Sequence, residues 1–163
     1  AWSLYTLIVS PVTEFYQVSI AFIKTDEPKS RHAVKRFAFL LGIVITVLLI
    51  IVGFTPVGMY ILTVWIRVDQ TIAHLSKRII QVAAILPLLL VFIQYLTGAM
   101  MKNQTTKPLS KGKTINLVTL ALVLLAGLLL GMDMAVAAII ATICAYLAEL
   151  AYLYLASKTF LSN

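Results

Sequence analysis

Four stretches of the chain are apolar almost without interruption, and a fifth is apolar on one side only. A membrane-spanning helix needs about 20 mostly apolar residues. Residues 37–66, 79–101, 115–132 and 134–157 meet or approach that length. The first stretch contains Gly53-Phe54-Thr55-Pro56-Val57-Gly58, which predicts a bend or break. Pro87 interrupts the second, and an amphipathic segment, 71–81, leads into it. Only Asp133 parts the last two, so a tight helical hairpin is expected there. The fifth stretch, 4–23, carries Thr6, Ser10, Thr13, Glu14 and Gln17. At helical spacing they share an arc of roughly 100°. Leu7, Ile8, Val12, Phe15, Val18 and Phe22 cover the rest of that helix. A helix lying flat on a membrane usually carries Lys and Arg on its polar face. This face has none before Lys24, so a spanning helix whose stripe lines a cavity is expected.

Composition fixes the class. Of 163 residues, 61% are hydrophobic and 12% charged, and the mean hydropathy is +1.01. Soluble domains run near about 45–50% and about 25%. An ordinary soluble domain, a disordered chain and a disulfide-rich module are excluded. The fold expected is all-α: a polytopic transmembrane helix bundle of about five membrane helices, one domain over residues 1–163. The first residues already form part of a membrane element, with no basic segment ahead of it, so no signal peptide is read there. Such a beginning suits the later part of a longer chain. Cys144, within an apolar run, reads as a small buried hydrophobe.

Charge supplies orientation. The net charge is +7, and the cations cluster between the apolar runs, as topology signals do. Nucleic acid is therefore not an expected partner. Segments 24–36 and 102–114, with Lys158, hold ten basic residues, whereas Arg67, Lys77 and Arg78 make three on the other side. The positive-inside rule then puts the N-terminus outside and the C-terminus in the cytoplasm, in a plasma or inner membrane. The basic segments are expected against anionic membrane lipid.

Few residues invite chemistry. Lys111-Gly112-Lys113-Thr114 is like the end of a phosphate-binding loop, but Lys107 stands where that loop needs glycine. His32 and His74 lie in polar segments without Cys, Asp or His at metal-ligand spacing. No catalytic group, metal site or cofactor is expected. Glu14, with Ser10, Thr13 and Gln17 on its face, is a candidate proton, cation or substrate contact, or else a structural hydrogen bond. Glu149, with Thr142, Tyr146 and Tyr152 nearby on its helix, either pairs with a neighbouring helix or reaches out toward the near water. Gln94, Asn116 and Thr97 are weaker candidates for the pathway or for contacts between helices. Gly127, Gly131 and Ala135, continued by Ala137, Ala141 and Ala145, form small-residue patterns that predict close helix packing. Trp2, Tyr60 and Trp65 suit an interfacial belt.

The order of elements resembles the C-terminal five helices of the multidrug/oligosaccharidyl-lipid/polysaccharide exporter superfamily. Within it the chain is most similar to the progressive ankylosis family. That likeness rests on Leu96-Thr97-Gly98-Ala99-Met100-Met101, the lysine-rich segment up to Thr114, Leu130-Gly131-Met132-Asp133-Met134-Ala135 and Ala148-Glu149. The resemblance implies a membrane transporter that exports small anions such as pyrophosphate, citrate or nucleotides. It also implies alternating access between two bundles, so the partners implied are a missing N-terminal bundle or another copy of this chain, and a small-molecule or ionic substrate. The alternative is a small membrane-embedded accessory subunit without transport activity.

Overall fold

The computed structural model describes residues 2–23, 28–67, 69–104 and 106–161, without the side chains of residues 2–5, 28 and 159–161. Lys24 and the Trp2 side chain lie outside the described residues. All regular structure among the described residues is helical. α1 (Trp2–Thr13) and α2 (Phe15–Phe22) precede a long α3 (Pro28–Phe54). A short α4 (Pro56–Tyr60) runs into a π-helical turn, Ile61–Trp65. α5 (Gln70–Ala83), α6 (Leu86–Lys102), α7 (Lys107–Leu129) and α8 (Met134–Leu161) complete the chain.

The all-α bundle agrees with the sequence, but fewer than five candidate spans stand among the described residues. α3, α7 and α8 are each long and apolar enough to cross a membrane, and α5 with α6 qualifies as one span bent by 46°. That makes three, or four with the bent pair, among the described residues. The difference lies in the polar-striped element, which divides at Glu14. Its pieces of 12 and 8 residues both fall short of a span. Pro11 contributes to the interruption, because it has no N–H for the Leu7 carbonyl. The Ser10 hydroxyl donates to that carbonyl instead, at 3.0 Å.

Two basic segments between the apolar runs are, among the described residues, mostly helix. α3 begins at Pro28 and α7 at Lys107, so Arg31, His32, Lys35 and Arg36, like Lys111 and Lys113, lie on helices. Proline suits a first turn, where its missing N–H leaves no bond unmade; Pro28 and Pro108 stand there. Hydropathy marks where lipid would begin, not where a helix begins. The segment around His74 is likewise helical, and the Asp69 carboxylate caps α5 by accepting from the Thr71 N–H at 3.2 Å.

The expected break near Pro56 is present, and it is repaired by a neighbour. The Val57 N–H turns to Thr55 Oγ1 at 3.3 Å, which deprives the Gly53 carbonyl of its helical donor. Gln81 Nε2, from α5, donates to that carbonyl at 2.9 Å. Gly53 permits the approach, since a Cβ there would stand 3.3 Å from Gln81 Cγ. Gln81→Leu strands a part-buried carbonyl, and a lower unfolding midpoint is expected, equivalent to about 1–2 kcal/mol.

α6 is the hub, packed on α1, α2, α3 and α8. Its Leu86, Leu90 and Val91 join Val9, Val12, Phe15, Ile45 and Leu49 in the main core. Its Ile93, Leu96 and Met100 meet Leu153 of α8 in a second cluster. Glycine sets the tightest crossings on α6. A Cβ on Gly42 would stand 2.8 Å from Val91, and one on Gly98 would overlap Ser19. α7 packs chiefly on α8, and only 11% of its most apolar window is buried.

Candidate functional site

The first arm sorts its side chains by face. Val9, Val12, Phe15 and Ser19 are buried, spaced three or four residues apart as one helix face requires. Ser10, Thr13, Glu14 and Gln17 are all exposed on the opposite face. The Gln17 amide donates to Glu14 Oε2 at 2.6 Å, and the Thr13 hydroxyl donates to the Ser10 carbonyl at 2.8 Å. Gln17 thus meets the Glu14 carboxylate, whereas the Ser10 and Thr13 hydroxyls turn to carbonyls of their own helix, at Leu7 and Ser10. A carboxylate with a neighbouring amide on an exposed polar face can hold a proton or a cation, or orient a polar solute.

Glu149 belongs to a different place. Its side chain is 1% exposed, so it does not reach out to water; instead α7 supplies partners to it. Lys113 Nζ stands 2.6 Å from one carboxylate oxygen, and the Asn116 amide donates to the other at 2.9 Å. Lys113 is itself 61% exposed and bends inward along the helix surface. A buried carboxylate is tolerable only when its charge is met in this way.

Gln94 is half-buried on α6. Gly127 lies against Ala137, whose Cβ would stand 2.9 Å from a Cβ built there. Gly131 departs from the small-residue pattern: it lies beyond the end of α7, with φ +66°, and nothing approaches its Cβ position. Its role is the left-handed turn of the hairpin, which glycine adopts without strain. Ala135 lies in the first turn of α8, where its N–H donates to Asp133 Oδ1 at 2.9 Å. Gly112, in the basic segment that lacks the glycine a phosphate-binding loop needs, faces Leu153 inside the α7–α8 seam.

Sequence reasoning missed Lys113 as a partner of Glu149. The available signal was its position three residues before Asn116, which puts both on one face of a helix. Gln81 and Ser19 were missed as well, and no local spacing announces either.

The fold and its polar clusters define an integral membrane protein, a helical bundle with one carboxylate locked inside and another presented on its flank. The family profile described as progressive ankylosis protein (ANKH) matches residues 1–162. The chain belongs to that family, a family of membrane transport proteins. No curated protein and no solved structure matches the chain.

Proposed function

We propose that this chain forms part of a secondary active exporter for small organic anions or pyrophosphate, working by alternating access. The observation that carries the reading is the exposed stripe of Ser10, Thr13, Glu14 and Gln17 on an otherwise apolar arm. Hydrocarbon does not tolerate a carboxylate, so this face belongs against water or another protein surface. An opposing helical bundle, from the same polypeptide or a second copy, would close a central pathway over it and rock to expose it to each side in turn. The likeness to the exporter superfamily supports that motion, and the charge distribution supports an external N-terminus and a cytoplasmic C-terminus.

The chemistry divides the roles. A carboxylate repels an anionic substrate and attracts a proton or metal cation. Glu14 therefore carries the coupling ion, with Gln17 holding its carboxylate in place through the 2.6 Å hydrogen bond. Ser10 and Thr13 offer hydroxyl oxygens to the same ion or to the solute. Gln94 is the further polar group on the pathway, whereas Glu149 is engaged by Lys113 and Asn116.

The test is uptake of labelled citrate or pyrophosphate by the full native protein reconstituted in liposomes, under imposed proton and sodium gradients. Gradient-driven uptake is expected. Glu14→Gln should remove the gradient dependence and slow uptake by roughly tenfold or more, the equivalent of about 1.4 kcal/mol. Absence of uptake of either anion would overturn the substrate class. A Glu14→Gln protein that behaves as wild type would remove the stripe from the pathway.

A further inference from the structure

A groove of about 500 Å³ runs between α3, α6 and α8, outside the polar stripe and outside the Lys113–Glu149 pair. Most of its wall is hydrocarbon: Phe92 and Leu96 of α6, with Leu147 and Leu150 of α8. Its polar lining includes Lys35 of α3, and among the described residues no carboxylate lines it. The Ser157 hydroxyl, also in the wall, already donates to the Tyr154 carbonyl at 2.7 Å. Lys158 adds a second cation at the rim, where its Nζ stands 5.0 Å from the centre of the Tyr154 ring. That cation–π contact holds the exposed ammonium beside Tyr154, a residue of the groove wall. Leu147 and Tyr154 are about half exposed, so the groove opens sideways along the flank of the bundle.

Shape and charge select the occupant. A free phosphate would fill only the cationic end and leave the aliphatic wall bare. A neutral lipid would fill the wall but leave the two ammonium groups unmatched. A molecule with an anionic phosphate head and a hydrocarbon tail satisfies both, and basic pockets between membrane helices take such head groups. We propose that this groove is a binding site for one anionic phospholipid. Its phosphate sits between Lys35 and Lys158, and one acyl chain lies along Phe92, Leu147 and Leu150. The site is independent of what the protein carries and of whether Glu14 lines its pathway.

The experiment is a titration of the purified protein in neutral detergent, with bound lipid counted by native mass spectrometry. The probes are dioleoyl phosphatidylglycerol, dioleoyl phosphatidylcholine and inorganic phosphate. One phosphatidylglycerol is expected to bind tightly, with phosphatidylcholine clearly weaker. Lys35→Gln and Lys158→Gln should each weaken phosphatidylglycerol roughly fivefold, the worth of one cation near an anionic head group. Ala151→Phe, which fills the aliphatic part of the groove, should weaken it as well. Lys77→Gln, on α5 and away from the groove, should not change it. Both lysine variants alter exposed side chains, so the fold is retained and the comparison stays valid. Equal binding of phosphatidylcholine would overturn the proposal, as would unchanged phosphatidylglycerol affinity in both lysine variants. Competition by inorganic phosphate at equal concentration would also overturn it, since the groove would then read a soluble anion.

Discussion

Lys113→Ala is expected to destabilise the protein by about 2–3 kcal/mol, between an exposed pair and a fully buried one. The asymmetry of the pair decides the size. Glu149 is 1% exposed and Lys113 is 61% exposed, so removing the lysine strands a buried carboxylate that water cannot reach. A fully buried partner would cost more, about 3–5 kcal/mol, because neither charge could recover hydration. Asn116 still donates at 2.9 Å after the change, which softens the loss without neutralising the charge. In a Glu149→Gln background the same Lys113→Ala should cost little, since no buried charge is left to strand. The four proteins form a double-mutant cycle, read as unfolding free energies in mixed micelles. Equal cost of Lys113→Ala in both backgrounds would show that the pair contributes nothing to stability.

Gly98→Val should be comparably severe, at about 3 kcal/mol, the upper end for overpacking a tight contact. Here α2 and α6 touch almost backbone to backbone. A Cβ on Gly98 would overlap Ser19 Cβ and stand 2.7 Å from the Tyr16 carbonyl oxygen. Neither obstacle is the far end of a flexible side chain, so the helices themselves must part. Alanine at this position gains up to about 1 kcal/mol of helix propensity over glycine. The clash with a backbone carbonyl outweighs that gain, so Gly98→Ala is destabilising too, but less so. Ser19→Gly removes the nearest obstacle and should recover part of the Gly98→Ala loss while leaving the Tyr16 contact. If Ser19→Gly brings no recovery, the crossing is not where the strain lies. Membrane helices associate through close approach of this kind.

These two contacts also show where sequence reading stops. The Pro56 break, the Pro87 interruption and the hairpin around Asp133 were legible because proline, glycine and a lone charge act on their own neighbours. The polar stripe of Ser10, Thr13, Glu14 and Gln17 was legible because it obeys one helical period. The division of that arm at Glu14 was not, because hydropathy averages over a window and the interruption is local. The helical state of Arg31 to Arg36 and of Lys111 to Lys113 was hidden for a related reason: polarity places a residue outside lipid but leaves its backbone free to be helical. Partners across the bundle were the least accessible. Ser19 with Gly98, Gln81 with Gly53 and Lys113 with Glu149 are distant in sequence, and only the packing of whole helices brings them together.

The Lys113–Glu149 pair bears on how the protein is made. α7 leaves the ribosome before α8, and a turn capped by Asp133 keeps the two adjacent. By the time Glu149 is synthesised, its ammonium and amide partners already exist on the preceding helix. α8 emerging alone would have to carry an unmatched carboxylate into hydrocarbon, at a cost of several kcal/mol. Chain order thus supplies an escort in cis: the first helix of the hairpin prepares the berth that lets the second one enter the bilayer.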